Sequence, residues 1–330
     1  MRRSATRSMV VAALAVGVLV AGCGGSGSSG SSSGHAGSGA STVQLGYVPY
    51  ADDGPLFLGL EQGFFKSHGL NVTLATAPAP TPIVADLVSG KQQFGFVTTN
   101  VLIDAVSHGV PIKCVSTVDG NQSPDPNQDS SALLAGPNSG ISSIAQLRNK
   151  TVAVVQLNSL NSVDVQEEIA RAGGNPSSVH LISLPFAQMP EALKSGRVAA
   201  AIVVSPFSAT AIQEGSKLLV HPDAQLFPNA TITCIAASDS YIKSHPAQVK
   251  AWQAAIAQSA AYAKTHQSAA RATLTHYLNL SPAAAQHAVL STNWDTTFNT
   301  GSAEQQETLL KKFGALTTTV PVSKLFVNPS

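Results

Sequence analysis

The sequence predicts an α/β protein of two similar lobes, each a mostly parallel sheet flanked by helices, with a helical C-terminal region. Three observations carry this expectation. Strand-length apolar runs alternate with helix-length periodic runs from residue 43 to about residue 237. Two segments rich in Pro, Asn and Asp, Gly120–Ser131 and Pro222–Asn229, interrupt the alternation. The stretch Leu87–Gly109 also recurs, degraded, 106 residues later as Leu193–Gly215. Leu87, Ser89, Gly90, Lys91, Val97, Val106 and Gly109 match Leu193, Ser195, Gly196, Arg197, Val203, Ile212 and Gly215. Both copies read as a helix end, a Ser-Gly stop, a basic residue, a buried strand, a polar turn and a helix closed by Gly. Two copies of one βα unit imply two lobes, and ligands of open α/β sheets sit at their strand-to-helix turns.

The elements follow in order. Arg2, Arg3 and Arg7 precede the apolar run Met9–Val20, which has signal-peptide length and is short for a bilayer span. It ends Val20-Ala21-Gly22-Cys23, which resembles the lipobox of bacterial lipoproteins. That resemblance implies cleavage before Cys23 and lipidation of its thiol, a membrane anchor. Gly24–Ser41, almost wholly Gly, Ser and Ala, reads as a flexible tether. Val43–Val48 alternates as a strand, and Pro55 opens an apolar helix as a first-turn proline does. Strand Leu70–Leu74, helix from Pro82, strand Phe94–Val97, helix Val101–Val106 and strand Ile112–Val118 follow. After the first break come helix Ser143–Leu147, strand Thr151–Val155, helix Val163–Ala172, strand Val179–Ile182, and strands Val198–Val204 and Leu218–Val220. After the second come strand Thr231–Ala237 and a mainly helical remainder, with starts at Pro246 and Ser281-Pro282. The expected organisation is a signal peptide over 1–22, a lipidated Cys and tether over 23–41, lobe I over 42–120 plus 231–330, and lobe II over 131–230. The crossings lie near 119–131 and 222–231.

Composition narrows the function classes. The formal net charge is +1 and charged residues are 11% of the chain, so no basic nucleic-acid face is expected. Besides Cys23 there are Cys114 and Cys234, which read either as a disulfide in an exported domain or as two separate buried thiols. No Cys-x-x-Cys or His-x-x-x-His pair is present, so neither a structural metal nor a cofactor is expected. There is no Gly-x-Ser-x-Gly elbow and no phosphate loop, and the nine His are scattered without a nucleophile and carboxylate spaced around them.

Gly46-Tyr47-Val48-Pro49, Pro55-Leu56-Phe57-Leu58-Gly59-Leu60-Glu61-Gln62-Gly63-Phe64-Phe65 and His68-Gly69-Leu70-Asn71-Val72 resemble the opening of the nitrate/sulfonate/taurine-type substrate-binding proteins of ABC importers, an opening shared by thiamine-pyrimidine binders. Gln146-Leu147-Arg148-Asn149-Lys150-Thr151-Val152-Ala153-Val154 resembles that family's entry to its second lobe. The resemblance implies a type II periplasmic-binding-protein fold, a cleft that closes on solute, and delivery to a membrane permease. It places strand Thr231–Ala237 beside Ile112–Val118, so Cys114 and Cys234 are expected close together, with the bridge left open. Many sulfonate binders carry an aromatic or acidic residue where this chain has Ser205, which speaks against a sulfonate. Enzymes that make thiamine pyrimidine share the fold, but the Cys-rich iron motif that the resemblance implies for them is not in this chain.

The cleft chemistry is expected on four turns: 49–54, 98–100, 156–162 and 205–208. The candidate ligand-binding residues are Tyr50, Asp53, Thr98, Thr99, Asn100, Asn158, Ser159, Asn161, Ser205 and Phe207. Tyr50 can lie flat on a planar solute, or pack at the lobe surface. Asp52 and Asp53 can accept from an amine or cap the Pro55 helix; Phe207 is a cleft wall or a core residue. Hydroxyls and amides at helix starts serve either as caps or as ligand contacts, and helix N-termini favour anions. No Lys or Arg lies in these turns, so the expected solute is small and polar or anionic, bound without a basic side chain. The expected partners are that solute, a permease, and the membrane through lipid on Cys23; a monomer is expected. An exported enzyme of the same fold and a ligand-sensing partner of a membrane receptor are the alternatives. Turnover separates the first, and gene neighbourhood the second.

Overall fold

The computed structural model describes residues 40–118, 122–290 and 294–327. The signal-peptide, Cys23 and tether expectations lie outside the described residues. Lobe I begins with β1 (Ser41–Tyr47), α1 (Gly54–Glu61), α2 (Phe64–Ser67), β2 (Leu70–Thr76), α3 (Pro80–Val88), β3 (Phe94–Thr98), α4 (Thr99–Ser107) and β4 (Ile112–Ser116). Lobe II follows as β5 (Ser131–Ala135), β6 (Thr151–Val154), α5 (Leu160–Arg171), β7 (His180–Ser183), α6 (Met189–Lys194), β8 (Ala200–Val204), α7 (Phe207–Gln213), β9 (Lys217–Val220) and α8 (Pro222–Leu226). The chain then returns as β10 (Thr233–Ser238) and ends in α9 (Asp239–Ser244), α10 (Pro246–Thr265), α11 (Gln267–Tyr277), α12 (Pro282–His287) and α13 (Thr300–Lys312).

The two five-stranded sheets run β2-β1-β3-β10-β4 and β7-β6-β8-β5-β9. The internal repeat is exact in structural terms: β3 and β8 are offset by the same 106 residues and are the third strand of their sheets. Gly90 and Gly109 of the first copy and Gly196 and Gly215 of the second all have positive φ, where a side chain is strained. Four of the five strands in each sheet run the same way, as expected, and one runs against them, so the sheets are mixed. β1 is parallel to β2 and β3, but β10 is antiparallel to β3 and β4; β6 is parallel to β7 and β8, but β5 is antiparallel to β8 and β9. The reversed strand in each sheet is the one that enters from the other lobe, so it arrives from the opposite end of the sheet. Alternation along the sequence does not register that reversal.

Sequence patterns explain the local structure. Pro55 and Pro80 occupy first turns of α1 and α3, and Pro246 and Pro282 do the same in α10 and α12. The segment read as helix Ser143–Leu147 is a single 3-10 turn, Ile144–Leu147, and the break Pro222–Asn229 contains the short helix α8. The C-terminal helices cover lobe I. Trp252 of α10 is fully buried, stacks on Phe94 of β3 with ring centroids 4.2 Å apart, and donates its indole N–H to Ser116 Oγ at 3.0 Å. Burial of that ring with its N–H partnered satisfies both ends of an amphipathic side chain. Phe57 of α1 stacks on Tyr277 of α11 at 4.4 Å. Lobe II carries its own apolar cluster around Leu133, Leu147, Val152, Val165, Ile169 and Ile202.

Cys114 of β4 and Cys234 of β10 are joined as a disulfide, with their Cα atoms 5.8 Å apart on neighbouring antiparallel strands. That separation is within the ordinary span of a bridge. Beyond Cys114, the backbone of Leu325 and Val327 bonds to the outer side of β4, covering that strand.

Candidate functional site

The chain passes from lobe I to lobe II between β4 and β5, and back between β9 and β10. The two crossings are tied to each other. Gln122 N–H donates to Ala230 O at 2.7 Å, and Asn229 N–H donates to Gln122 O at 2.8 Å. Asp129, in the first crossing, accepts from Ser131 N–H through Oδ1 and from Ala224 N–H through Oδ2, each at 2.8 Å. Helix α13 packs against α4 of lobe I and α5 of lobe II, and Gln306 on it donates to Thr231 O in the second crossing at 2.8 Å.

Between the lobes lies a cavity of about 60 Å³. Lobe I supplies Tyr50 and Asp52 from the turn after β1, Pro80 from α3, and Thr98, Asn100 and Val101 from the β3–α4 junction. Lobe II supplies Val155 and Gln156, Ser159, Leu160 and Asn161 at the start of α5, Phe186, and Val204. The crossings supply Gln122, Ser130, Asp223 and Ile232, and β10 supplies Thr233. The walls meet directly. Tyr50 packs edge-on to Phe186 of the other lobe at 5.7 Å, backed by Phe96 at 5.0 Å. Ala51 N–H donates to Ser205 O at 3.1 Å, and Thr81 Oγ1 donates to Gln156 Oε1. With its amide oriented to meet its neighbours, Asn100 donates to Thr98 Oγ1 at 2.8 Å and its oxygen accepts from Val101 N–H and from Leu160 N–H, each at 3.2 Å. One side chain of lobe I thus caps the first helical N–H of α5 in lobe II. The lobes are closed on the cavity.

Carboxylates dominate the electrostatics. Asp52 and Asp223 line the cavity, and no Lys, Arg or His does so among the described residues. Behind them Asp164 of α5 is fully buried, and burial pushes its carboxyl well above the usual range, with Asp223, Asp129 and Glu168 adding repulsion and Asn161 a favourable hydrogen bond. Burial raises Asp129 to about 6 against its two backbone hydrogen bonds, with His221 opposing and Asp52 reinforcing the shift. Arg271, held to Ala288 O, interacts electrostatically with Asp52 without lining the cavity, and His221 bonds Ser131 O.

Of the residues expected at the cleft, Tyr50, Thr98, Asn100, Ser159 and Asn161 line the cavity. Ser159 is half committed to the fold, since its hydroxyl donates to Gln156 O at 2.6 Å and its N–H donates to Ser162 Oγ at 2.9 Å. The other five do not line it. Asp53 is buried before α1, with Asp52 in its place at the cavity. Thr99 holds the returning chain, donating from Oγ1 to Thr231 O and from N–H to Ile232 O, both at 2.8 Å. Asn158 faces a neighbouring groove between α3, α4 and lobe II. Ser205 meets lobe I through its backbone carbonyl, and Phe207 packs half-buried against the core. The second copy of the repeat therefore meets the turn after β1 through the Ser205 carbonyl. Sequence reasoning missed Phe186 and Asp223. Phe186 follows β7, a fifth strand-to-helix turn, which is the signal that could have found it.

A family model described as NMT1/THI5 like matches residues 51–270, two thirds of the chain. The chain belongs to the NMT1/THI5-like family. The match takes in lobe II, both crossings, α10 and lobe I from α1 to β4 with β10, so the cavity lies wholly inside it apart from Tyr50. A curated relative, the bicarbonate transport ATP-binding protein CmpC of Synechocystis sp. (strain ATCC 27184 / PCC 6803 / Kazusa), is 24% identical over 272 residues; the match covers 77% of this chain and 38% of that protein. Solved structures share the fold at low identity. The alkanesulfonate-binding protein SsuA of Xanthomonas axonopodis pv. citri, bound to MOPS, superposes with a TM-score of 0.69 at 17% identity, covering 83% of this chain and 92% of its own. The periplasmic nitrate-binding protein NrtA of Synechocystis PCC 6803 gives 0.71 at 15%, covering 86% of both chains. The ligand-binding component of an ABC-type import system from Staphylococcus aureus gives 0.74 at 15%, covering 87% and 96%. NMT1/THI5-like membership thus comes with the two-lobed architecture seen here.

Proposed function

We propose that this chain is the solute-binding component of an ABC importer, a lipid-anchored protein on the outer face of the cell membrane that captures a small polar solute between its lobes and delivers it to a permease. The observation that carries the reading is the closed interlobe cavity, walled by side chains from both lobes and from both crossings. A cavity so placed opens and closes when the lobes move about the crossings, which is how a carrier takes up and releases its solute. The names of the similar proteins support the class: bicarbonate transport, alkanesulfonate binding and nitrate binding. The lipobox-like Val20-Ala21-Gly22-Cys23 and the Gly/Ser tether support the anchor.

Thermal-shift screening of the purified chain against nitrate, bicarbonate, sulfonates, taurine, pyrimidine precursors and small amines tests the binding reading, because a ligand of the folded state raises its stability. At least one class is expected to raise the melting temperature. Absence of any stabilisation across such a panel, with substrate turnover found instead, supports the enzyme alternative. For the anchor, Cys23→Ala is expected to move the protein from the membrane fraction to the soluble fraction.

A further inference from the structure

We infer that the closed cleft selects by size: its solute has no more than about five non-hydrogen atoms, and Phe186 of lobe II sets that limit. This rests on the solute-binding reading above and narrows its substrate class. The first observation is the room between the lobes. The cavity holds about 60 Å³. A cavity of about 150 Å³ takes benzene, so an aromatic ring is too large for this one. The second is what joins the walls. Ala51 N–H donates to Ser205 O at 3.1 Å, Leu160 N–H donates to the Asn100 oxygen at 3.2 Å, and Thr81 is bonded to Gln156. A larger solute holds the lobes apart and forfeits these bonds, whereas one that fits keeps all of them.

The third observation is the wall itself. Among the described lining residues, Phe186 is the one aromatic side chain of lobe II, and it meets Tyr50 of lobe I edge-on at 5.7 Å. The Tyr50 ring is backed by Phe96 of β3 at 5.0 Å. Phe186 is buried, and its backbone is pinned on both sides. Leu184 N–H donates to Val154 O and Gln188 N–H donates to Pro185 O, both at 2.9 Å. Close-packed walls of this kind yield little to extra atoms. The ring of Phe186 takes no part in the three hydrogen bonds that join the lobes. Shortening it therefore enlarges the cavity and leaves those bonds in place.

Two sets of probes test the limit. Melting curves of the purified chain are taken with nitrate, bicarbonate, urea and acetamide, and with taurine, propanesulfonate, cytosine and benzamide, at equal concentration and constant ionic strength. At least one probe of the first set is expected to raise the melting temperature, and none of the second. By calorimetry, Phe186→Ala is expected to bind that small probe at least about tenfold more weakly and to bind at least one of the larger probes that the wild type rejects. Phe186→Leu provides the same test with a smaller opening if the first variant does not fold. Newly gained binding of a larger probe is a readout that a merely structural role of Phe186 does not produce. Saturable binding of a larger probe by the wild type overturns the size limit and leaves the solute-binding reading standing. Small-probe binding that the Phe186 variants neither weaken nor broaden overturns the assignment of Phe186. No binding by any probe of either set, to wild type or variant, overturns both the size limit and the solute-binding reading.

Discussion

Asp129 shows how one residue serves both fold and site. Its two oxygens hold backbone N–H groups on either side of the junction between crossings, Ser131 and Ala224. Asn has one acceptor where Asp has two, and its amide NH2 then faces a backbone N–H. Asp129→Asn is therefore expected to destabilise the fold by about 1–3 kcal/mol, measured by urea unfolding. The titration carries a sign. Burial raises Asp129 from 3.8 to about 6 and pushes Asp164 well above the usual carboxylate range. The folded state thus holds these protons more tightly than the unfolded chain. The contribution of Asp129 to stability is complete below 3.8 and is lost as pH rises through about 6. Melting temperature is expected to fall between about pH 4 and pH 6, and Asp164→Asn, which removes the second raised carboxyl, is expected to flatten the fall; a wild-type melting temperature that rises over the interval contradicts the assignment. At this scale the sequence was partly legible. The hydroxyls and amides of Thr98, Asn100, Ser159 and Asn161 stand where strand-to-helix turns are readable from periodicity. The choice between Asp52 and Asp53 was not readable, because adjacent acids differ only in where the 3-10 turn Ala51–Asp53 points them. Asp223 lay in a segment that sequence shows only as a break.

At the scale of elements, the repeat was the most legible feature because it is written in glycines and buried strands. Its two copies differ where packing differs. Gly95, mid-β3, lies under α3, and a Cβ there meets Ile83 Cγ2 at 2.4 Å and Leu87 Cδ1 at 2.9 Å. Gly95→Val is expected to cost about 1–3 kcal/mol through overpacking of the α3–β3 contact, read as a lowered urea midpoint with unchanged slope. The equivalent position of the second copy is Ala201, which carries the side chain that Gly95 lacks room for. The antiparallel strands were less legible, since direction depends on which lobe a strand enters from. The disulfide links β4 to β10 across 120 residues of sequence, a loop that contains the whole of lobe II. Replacing both cysteines by Ser is expected to cost about 2–5 kcal/mol, checked by comparing unfolding of that variant with the oxidised wild type. Free-thiol titration under denaturing conditions that finds Cys114 and Cys234 reduced in protein purified without reductant contradicts the bridge.

For the whole molecule, the central feature is that side chains from distant parts of the chain meet across the cleft. Tyr50 reaches Phe186, Ala51 reaches Ser205, Thr81 reaches Gln156, and Asn100 caps α5. None of these pairs shares a local pattern, which is why periodicity located the turns but not their partners across the cleft. Phe186 is the clearest case, a wall residue set by the meeting of lobes. Helix α13 bridges α4 and α5, with Lys312 bonded to Glu167. The most direct test of the account is calorimetric titration of the purified chain, and of Tyr50→Ala and Asn100→Ala, with whichever solute gives the largest thermal shift. The account predicts one solute per chain and a loss of about tenfold or more in affinity for each variant. Unchanged affinity in both variants contradicts it, because the solute then binds somewhere other than between the lobes.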